Sequence, residues 1–400
     1  MFVAVARMED PLGAGRSPLL VVGGSATSRG VVCSASYEAR AFGVRSGMPI
    51  ACAARLCPGA MFVPVPRHSC GQKSRALAEA LKLWAPMVEA ASIDEFYLDL
   101  TGTELVYRDE ALAGTAARIR AAAYLATGLA LSIGGGTNRL VAKLAAERAK
   151  PRPGTSGTGV CVVPPGGEAA FLATHRLAEI PGVGPRLQAT LARYRLEWVQ
   201  DALGVGQRDL ETWIGPRTGA WLYQRIRGQA GASVDPDGEA KSMSREETFA
   251  HDVLADDDIE AELLRLTTRL GAELRGDRLA ARCITVKLRD FDFKTRQASR
   301  TVTEPIDTDR AIFKVGRELF RALRSRRNVA ARLIGIGLSR FEPFGAPPQL
   351  SLLEDPVAAK ALETPRDRAV AKAIDRINQR FGKDALQPAR VAGRPNRRST

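Results

Sequence analysis

The chain has 400 residues, 45% apolar and 26% charged, which is the balance of a soluble globular protein too long for one comfortable core, so two to four domains are expected. Its 58 Lys and Arg against 44 Asp and Glu give a formal charge of +14, which favours a polyanionic partner, nucleic acid being the commonest. The six cysteines (33, 52, 57, 70, 161 and 283) form no Cys-x-x-Cys pair, and none of the three histidines stands near a cysteine pair, so they read as buried cytosolic thiols rather than a zinc site. No apolar run approaches the ~20 residues that cross a membrane. The first residues, MFVAVARMEDP, have neither a basic leader region nor a signal-length apolar core. A cytoplasmic protein with no membrane partner is expected.

In chain order, residues 17–24 (SPLLVVGG) predict a buried strand ending in a turn, and 29–44 (RGVVCSASYEARAFGV) a strand entering a helix. Residues 70–91 predict an amphipathic helix, 92–102 a strand, 108–128 an Ala-rich helix and 129–136 a second strand. A helix over 137–154 carries Lys143, Arg148 and Lys150 and is stopped by Pro151 and Pro153. This alternation predicts an α+β domain with an antiparallel sheet. Residues 168–230 predict helices broken by glycines. The Gly-, Asp-, Ser- and Lys-rich stretch 228–244 predicts a linker. A new domain over 245–341 predicts a helical stretch, an alternating basic strand region over 281–302, a helix and a last strand. The Pro-, Ala- and Arg-rich tail 342–400 is expected to be loosely ordered.

Within SIDEFYLDL (92–100), Asp94 and Glu95 place two charges beside each other at the start of an apolar, β-prone run. Neighbours in a regular strand point to opposite faces, so both carboxylates reach one metal only where the strand emerges from a hairpin turn. Hard divalent ions take such oxygens together with substrate phosphates, and two ions about 4 Å apart can clamp a phosphoryl transfer. The alternative is a solvated turn. Further on, IPGVGPR (180–186) sets a Gly-x-Gly turn before a helix beginning at Pro185. Gly182, Gly184 and Arg186 thereby offer backbone N–H groups and a cation to a DNA phosphate, as in a helix-hairpin-helix, although an ordinary glycine-capped turn reads the same way. Tyr37 and Arg40 stand one helical turn apart with Arg45 beyond them, a hydroxyl and a guanidinium fork suited to a triphosphate; Lys150 is a further phosphate candidate. Each of these sites taken alone also fits a solvated surface.

Taken in order, RGVV, SYEARAFGVRSGMP, SIDEFYLDLTG, SIGGGTNRLVAKLAAERAKPRPG and IPGVG resemble the Y-family translesion DNA polymerases, and within them the bacterial DNA polymerase IV branch. The resemblance covers Met1 to about residue 341. It implies a multidomain α+β right hand: small fingers at 3–66, an antiparallel-sheet palm at 67–156 with residues 1–2 from its first strand, and a helical thumb with the helix-hairpin-helix at 157–227. A linker at 228–240, an α+β little finger at 241–341 and a flexible tail at 342–400 complete it. It further implies two Mg²⁺ ions and deoxynucleoside triphosphates as cofactor and substrates. Asp94 is then a metal ligand and Glu95 the second carboxylate beside the primer end. Tyr37, Arg40 and Lys150 contact the nucleotide, and Phe2 lies under its sugar to exclude ribonucleotides. Arg245, with Lys287 and Arg289 in the strand reaching to Arg300, lies along primer–template DNA. The implied activity is error-prone, distributive translesion synthesis without proofreading, by a monomer.

One part of the family's pattern is missing. Its first strand reads Asp-x-Asp before an aromatic pair, and that first Asp is a ligand to both metals, whereas here the chain opens on Met1-Phe2-Val3. Either the start codon is assigned too late or the protein is a polymerase-like accessory factor that holds DNA and the clamp without catalysis; retention of Asp94, Glu95, Tyr37, Arg40 and Lys150 favours the first. As written, the metal site lacks a charged ligand, and catalysis should be severely impaired. A third reading, a helix-hairpin-helix nuclease or lyase, leaves residues 29–50 and 92–100 unexplained. In the tail, QLSLLED (349–355) is an apolar peptide with no core to join. It resembles the bacterial sliding-clamp peptide, which implies clamp binding by Gln349, Leu350, Leu352 and Leu353, with Gln349 entering one pocket and Leu352 and Leu353 another; the alternative is a short helix folded back on the little finger. Residues 369–382 are amphipathic and read as that helix or a partner site.

Overall fold

The computed structural model describes residues 1–108, 110–151, 157–231, 233–344, 362–382 and 385–391. The first elements are α1 (Phe2–Glu9), β1 (Leu20–Val22), β2 (Ser34–Ala35), α2 (Tyr37–Ala41), α3 (Ile50–Leu56), β3 (Met61–Val63) and α4 (Arg67–Lys82). Next come β4 (Met87–Ala90), β5 (Phe96–Asp99), α5 (Leu112–Thr127), β6 (Ile133–Gly135), α6 (Arg139–Ala149) and β7 (Val160–Val162). Five helices follow: α7 (Glu168–Ala173), α8 (Pro185–Ala192), α9 (Val199–Leu203), α10 (Gln207–Ile214) and α11 (Pro216–Arg225). The last run is β8 (Ser242–Val253), α12 (Asp256–Gly276), β9 (Leu279–Asp290), β10 (Thr295–Ile306), α13 (Asp309–Arg326), β11 (Ala331–Pro343) and α14 (Pro365–Phe381). They fall into two units, residues 1–18, 36–38 and 65–238, and residues 19–35, 39–64 and 239–400.

In the first unit β4 and β5 form an antiparallel hairpin, with Glu89 opposite Tyr97 and Ala90 opposite Phe96. Val88, Phe96 and Leu98 pack down on buried Leu77 and Leu81 of α4 and Ile119 of α5. Beside them β6 and β7 form a parallel ladder, on which α6 lies so closely that a Cβ on Gly134 would meet the Ala142 carbonyl at 2.0 Å. Only glycine fits there. Helices α7 to α11 pack around a core that includes Leu172, Ile180, Leu191, Leu210 and Leu222 and is shared with Leu140, Val141 and Leu144 of α6.

Three expectations need correction in this unit. Residues 83–91 do not continue the helix: Pro86 cannot donate to an α-helical ladder, so α4 stops at Lys82 and Met87–Ala90 turns into β4. Residues 1–2 do not end a strand, because the Val5 N–H donates to the Met1 carbonyl at 3.0 Å and Phe2 opens α1. Strand β7 was not anticipated, and its pairing with β6 is parallel.

In the second unit the wholly buried β1 runs between β2 and β3. Its larger body is a four-stranded antiparallel sheet in the order β10-β9-β11-β8. Helices α12 and α13 cover one face through Leu263, Leu270, Val315, Phe320 and Leu323, against Ile284, Val286 and Ile336 of the sheet. Three aspartates at the start of α12 complement the positive end of its dipole. Strand β8 was not anticipated, since residues 245 onward read as helical. The tail is also more structured than its composition suggests. Helix α14 opens on a Thr364–Asp367 capping box with Pro365 at its first position. It is tied to α12 by Arg275, which holds Asp375 at 2.7 Å, Asp309 at 2.8 Å and the Asp307 carbonyl. Burial pushes the Asp309 carboxyl up, opposed by Arg275.

Two of the six cysteines, Cys57 and Cys70, are buried and the rest are half-buried, all as free thiols. Among the described residues no helix is long and apolar enough to cross a membrane.

Candidate active site and nucleic-acid interface

Asp94 and Glu95 lie in the turn that enters β5, both exposed, at the rim of the hairpin where paired carboxylates can serve one ion. Ser92 builds that turn. Its hydroxyl accepts from the N–H groups of Asp94 (3.3 Å) and Glu95 (3.1 Å) and donates to Asp94 Oδ1 at 3.0 Å, while its own N–H reaches the Glu95 carbonyl. Both carboxylates thus leave the strand from a backbone fixed by one side chain. Behind them Asp99 closes the far end of β5: the Thr101 hydroxyl, then the Thr101 N–H, hold its carboxyl below the usual carboxylate range.

Helix α6 runs alongside and contributes pairings the sequence did not reveal. Lys143 Nζ sits 2.6 Å from Glu95 Oε1. Burial pulls the Lys143 ammonium down, but the hydrogen bond and charge of Glu95 outweigh it, so its pKa lies above the ordinary lysine value. One turn earlier, Arg139 grips Glu89 in a two-pronged pair (2.7 and 2.8 Å) and stacks over the Tyr97 ring at 4.1 Å. Its guanidinium also reaches the Ser233 carbonyl, and the Asp235 N–H donates to Glu89. Lys150, at the end of the same face of α6, pairs with Glu147. Spacings of four and seven residues put Arg139, Lys143 and Lys150 on one side of the helix. The structure thereby joins Glu95 to Lys143 directly, whereas Lys150 is held by its own helix.

Exposed, hard carboxylate oxygens fit a divalent cation that completes its shell with water and phosphate. Among the described residues no three His, Cys, Asp or Glu side chains gather into a metal-binding group.

Tyr37 and Arg40 both stand exposed on the short helix α2, with Ala39 buried between them. Arg40 Nε donates to the Ala35 carbonyl at 3.0 Å, and Arg45 donates to the Arg40 carbonyl at 2.6 Å. Phe2 packs at the start of α1 beside Val5, Cys70 and Leu129.

In the helical part of the first unit, Val183 and Ile180 are buried while Gly182, Gly184 and Arg186 face solvent, so the glycine turn is pinned from beneath and open above. Gly182 has φ +104, and a Cβ there would meet Trp221 at 2.7 Å. The element before the turn is a single 3₁₀ turn (Leu177–Glu179) rather than a full helix. A second Gly-Pro-Arg start, Gly215-Pro216-Arg217, opens α11, and Gly182, Arg217, Thr218 and Trp221 line one shallow depression.

On the four-stranded sheet, the face away from the helices carries Lys287 and Arg289 of β9, opposite Gly335 and Leu333 of the central strand. Lys287 pairs with Glu246, and Arg289 donates to the Thr295 hydroxyl at 2.9 Å. Arg245 lies on the other side, 2.7 Å from Glu273 of α12. Arg296 and Arg300 likewise reach Asp290 and Glu318 on the helix-covered side. Gln349, Leu350, Leu352 and Leu353 lie outside the described residues.

Ser92 and Arg139 are candidate site residues that sequence reasoning missed, and Lys143 was named on its helix without its partner Glu95. Ser92 had a signal, a hydroxyl two residues before a carboxylate at a turn. The partners of Arg139 and Lys143 stand some fifty positions away and left none.

Residues 1–147 match the impB/mucB/samB family, and residues 240–352 match the impB/mucB/samB family C-terminal domain. The chain is 34% identical to the DNA polymerase IV of Desulfatibacillum aliphaticivorans, over 94% of this chain and 90% of that one. It is 34% identical to the DNA polymerase IV of Caulobacter vibrioides over 98% and 91%. Among solved structures, a Y-family DNA polymerase chimera, Dbh-Dpo4(243-245)-Dbh, superposes with a TM-score of 0.73 at 25% identity, covering 85% of this chain and 96% of that one. An insertion ternary complex of Dbh DNA polymerase superposes with a TM-score of 0.59 at 26% identity, over 84% and 95%.

Proposed function

The chain belongs to the impB/mucB/samB family of Y-family DNA polymerases, and from that premise we propose that its acidic hairpin is the metal-holding centre of a translesion DNA polymerase. The observation that carries this reading is local: two exposed carboxylates leave one serine-built turn, with a lysine 2.6 Å from the second. Such a rim presents concentrated negative charge to solvent while its backbone is already ordered.

Asp94 and Glu95 would hold two Mg²⁺ ions together with the phosphates of an incoming deoxynucleoside triphosphate. When bound, the metal supplies Lewis acidity at the reacting phosphate and stabilises the attacking and leaving oxygens. Lys143 offsets part of the charge on Glu95 and keeps its carboxylate turned toward α6, so the two acids do not repel each other out of position. Tyr37 and Arg40 hold the triphosphate by a hydroxyl and a guanidinium, and Lys150 exchanges Glu147 for a phosphate. Phe2 lies under the sugar. Residues 3–66 act as fingers, 67–156 as palm, 157–227 as thumb and 241–341 as little finger. Gly182, Gly184 and Arg186 grip a backbone phosphate, while Lys287 and Arg289 follow the DNA on the open sheet face. Arg245 takes part only by leaving Glu273. Synthesis is distributive and error-prone, in the cytoplasm, by a monomer. Gln349, Leu350, Leu352 and Leu353 bind the sliding clamp.

The test is Asp94→Ala, made both in this chain and in a form begun at an upstream in-frame codon. Primer extension with Mg²⁺ should be lost while affinity for primer–template DNA stays within about twofold, because DNA affinity comes from many phosphate contacts elsewhere. Extension that persists in the substituted protein would refute the assignment.

A further inference from the structure

The hairpin joining β9 to β10 ends in Phe291-Asp292-Phe293-Lys294, and both rings stand in solvent, Phe291 50% and Phe293 63% exposed. Single exposed aromatics are ordinary on a protein surface. Two on one four-residue turn, over a base this firmly fixed, are not.

Asp290, wholly buried, receives Arg296 at 2.7 Å and also binds Arg327. Arg327 reaches on to Asp292 at 2.9 Å, and the Asp290 N–H donates to the Lys294 carbonyl at 2.9 Å. Phe293 itself has φ +65, a backbone conformation a bulky side chain rarely adopts. The turn therefore displays the ring at a local conformational cost, from a base that cannot relax.

Cations outnumber acids around the rings. Asp290 and Asp292 are shared by Arg296, Arg327 and Lys294, the last 3.5 Å from Asp292, and Arg332 adds a further cation at the tip. The Arg332 guanidinium covers the Phe293 ring at 4.5 Å, and the Lys294 side chain is 71% exposed. Leu254, 61% exposed, follows Val253 at the same end of the sheet, where Val253 pairs with Ala331 and Ala331 with Asp290. Within the same unit Asp252 at this end is bound to Arg29 of the 19–35 segment. Aromatic faces interleaved with cations suit a strand whose bases are unstacked, because stacking takes any base and the cations take its phosphates. A protein partner would gain little from such excess positive charge unless it were itself strongly acidic.

We propose that this tip is a stacking platform for the unpaired template strand, with a base on the Phe293 face not covered by Arg332, a second apolar contact at Phe291, and flanking phosphates on Arg332 and Lys294. The proposal rests on the polymerase reading above and adds a site to it.

The experiment compares two probes with the full chain, a blunt DNA duplex and the same duplex carrying a single-stranded 5′ template extension with one 2-aminopurine. The unaltered chain should bind the extended probe more tightly and change the 2-aminopurine fluorescence. A Phe291→Ala/Phe293→Ala protein should lose at least about fivefold of affinity for the extended probe and none for the blunt one, and should leave the fluorophore unchanged. Phe293→Trp should restore both readouts. The rings are solvent-exposed, so an unaltered thermal melt is expected and excludes loss of fold. Equal binding of both probes, unmoved by the substitutions, would overturn the platform and leave the polymerase reading standing. No binding of either duplex by the unaltered chain would overturn both.

Discussion

The four-stranded sheet of the second unit and the acidic hairpin of the first are built on opposite terms. The sheet uses strands of 12 and 13 residues, and two long helices seal its inner face with side chains wholly out of solvent. The hairpin uses two strands of four residues, keeps its acidic end exposed, and is steadied by polar contacts from Ser92, Arg139 and Lys143. Apolar burial is strong and non-directional, so it suits a scaffold; polar contacts at a wet rim add little stability but fix where charges point. Substitutions should separate the two kinds of construction.

The largest effect is expected at the rim. Asp94→Ala should abolish primer extension, whatever the rate of the unaltered protein, while urea unfolding of the purified protein stays unchanged. Phe320→Ala should do the reverse. It leaves a cavity under the sheet and should lower the stability of the second unit by about 3–5 kcal/mol in urea titrations, with DNA synthesis retained at low temperature. Gly134→Ala tests the boundary between them, because its added methyl collides with α6 backbone; a loss of about 1–3 kcal/mol is expected, together with reduced extension as the α6 cations move. For Lys143→Ala the stability change should stay under ~1 kcal/mol, since the pair is partly exposed, but more Mg²⁺ should be needed for half-maximal extension. The smallest effect concerns acid. The hydrogen bond from Arg327 lowers the Asp292 pKa from 3.8 to about 2, so its contribution is present above pH 4 and disappears as pH falls toward 2. Asp292→Asn should flatten that part of the stability profile, read as urea midpoints at pH 4.5 and 2.5.

Much of the rim was legible because strand geometry is strict. Adjacent side chains alternate, so Asp94 and Glu95 had to leave the sheet at a turn to act together, and that is where they stand. Strand β4 was hidden because Met-Val-Glu-Ala suits a helix in isolation; its pairing with β5 overrides that preference. Strand β8 was hidden for a related reason. As an edge strand it carries Arg245, Glu246 and Glu247 in succession, one side meeting helix side chains and the other solvent, so no apolar alternation survives. The cations of α6 were visible as residues but not as partners. Basic composition over 287–300 pointed to one DNA-facing stripe, yet Arg296 and Arg300 serve the helix-covered side, a division that depends on register.

Arg139 has a mechanical consequence. Composition marks 228–240 as slack between domains, yet the Ser233 carbonyl and the Asp235 N–H are fastened to the Arg139–Glu89 clamp under the hairpin. The unfastened length before β8 is then only Pro236 to Lys241, a leash of ~20 Å at full stretch. A substitution that frees the clamp also releases residues 233–235 and so lengthens that leash.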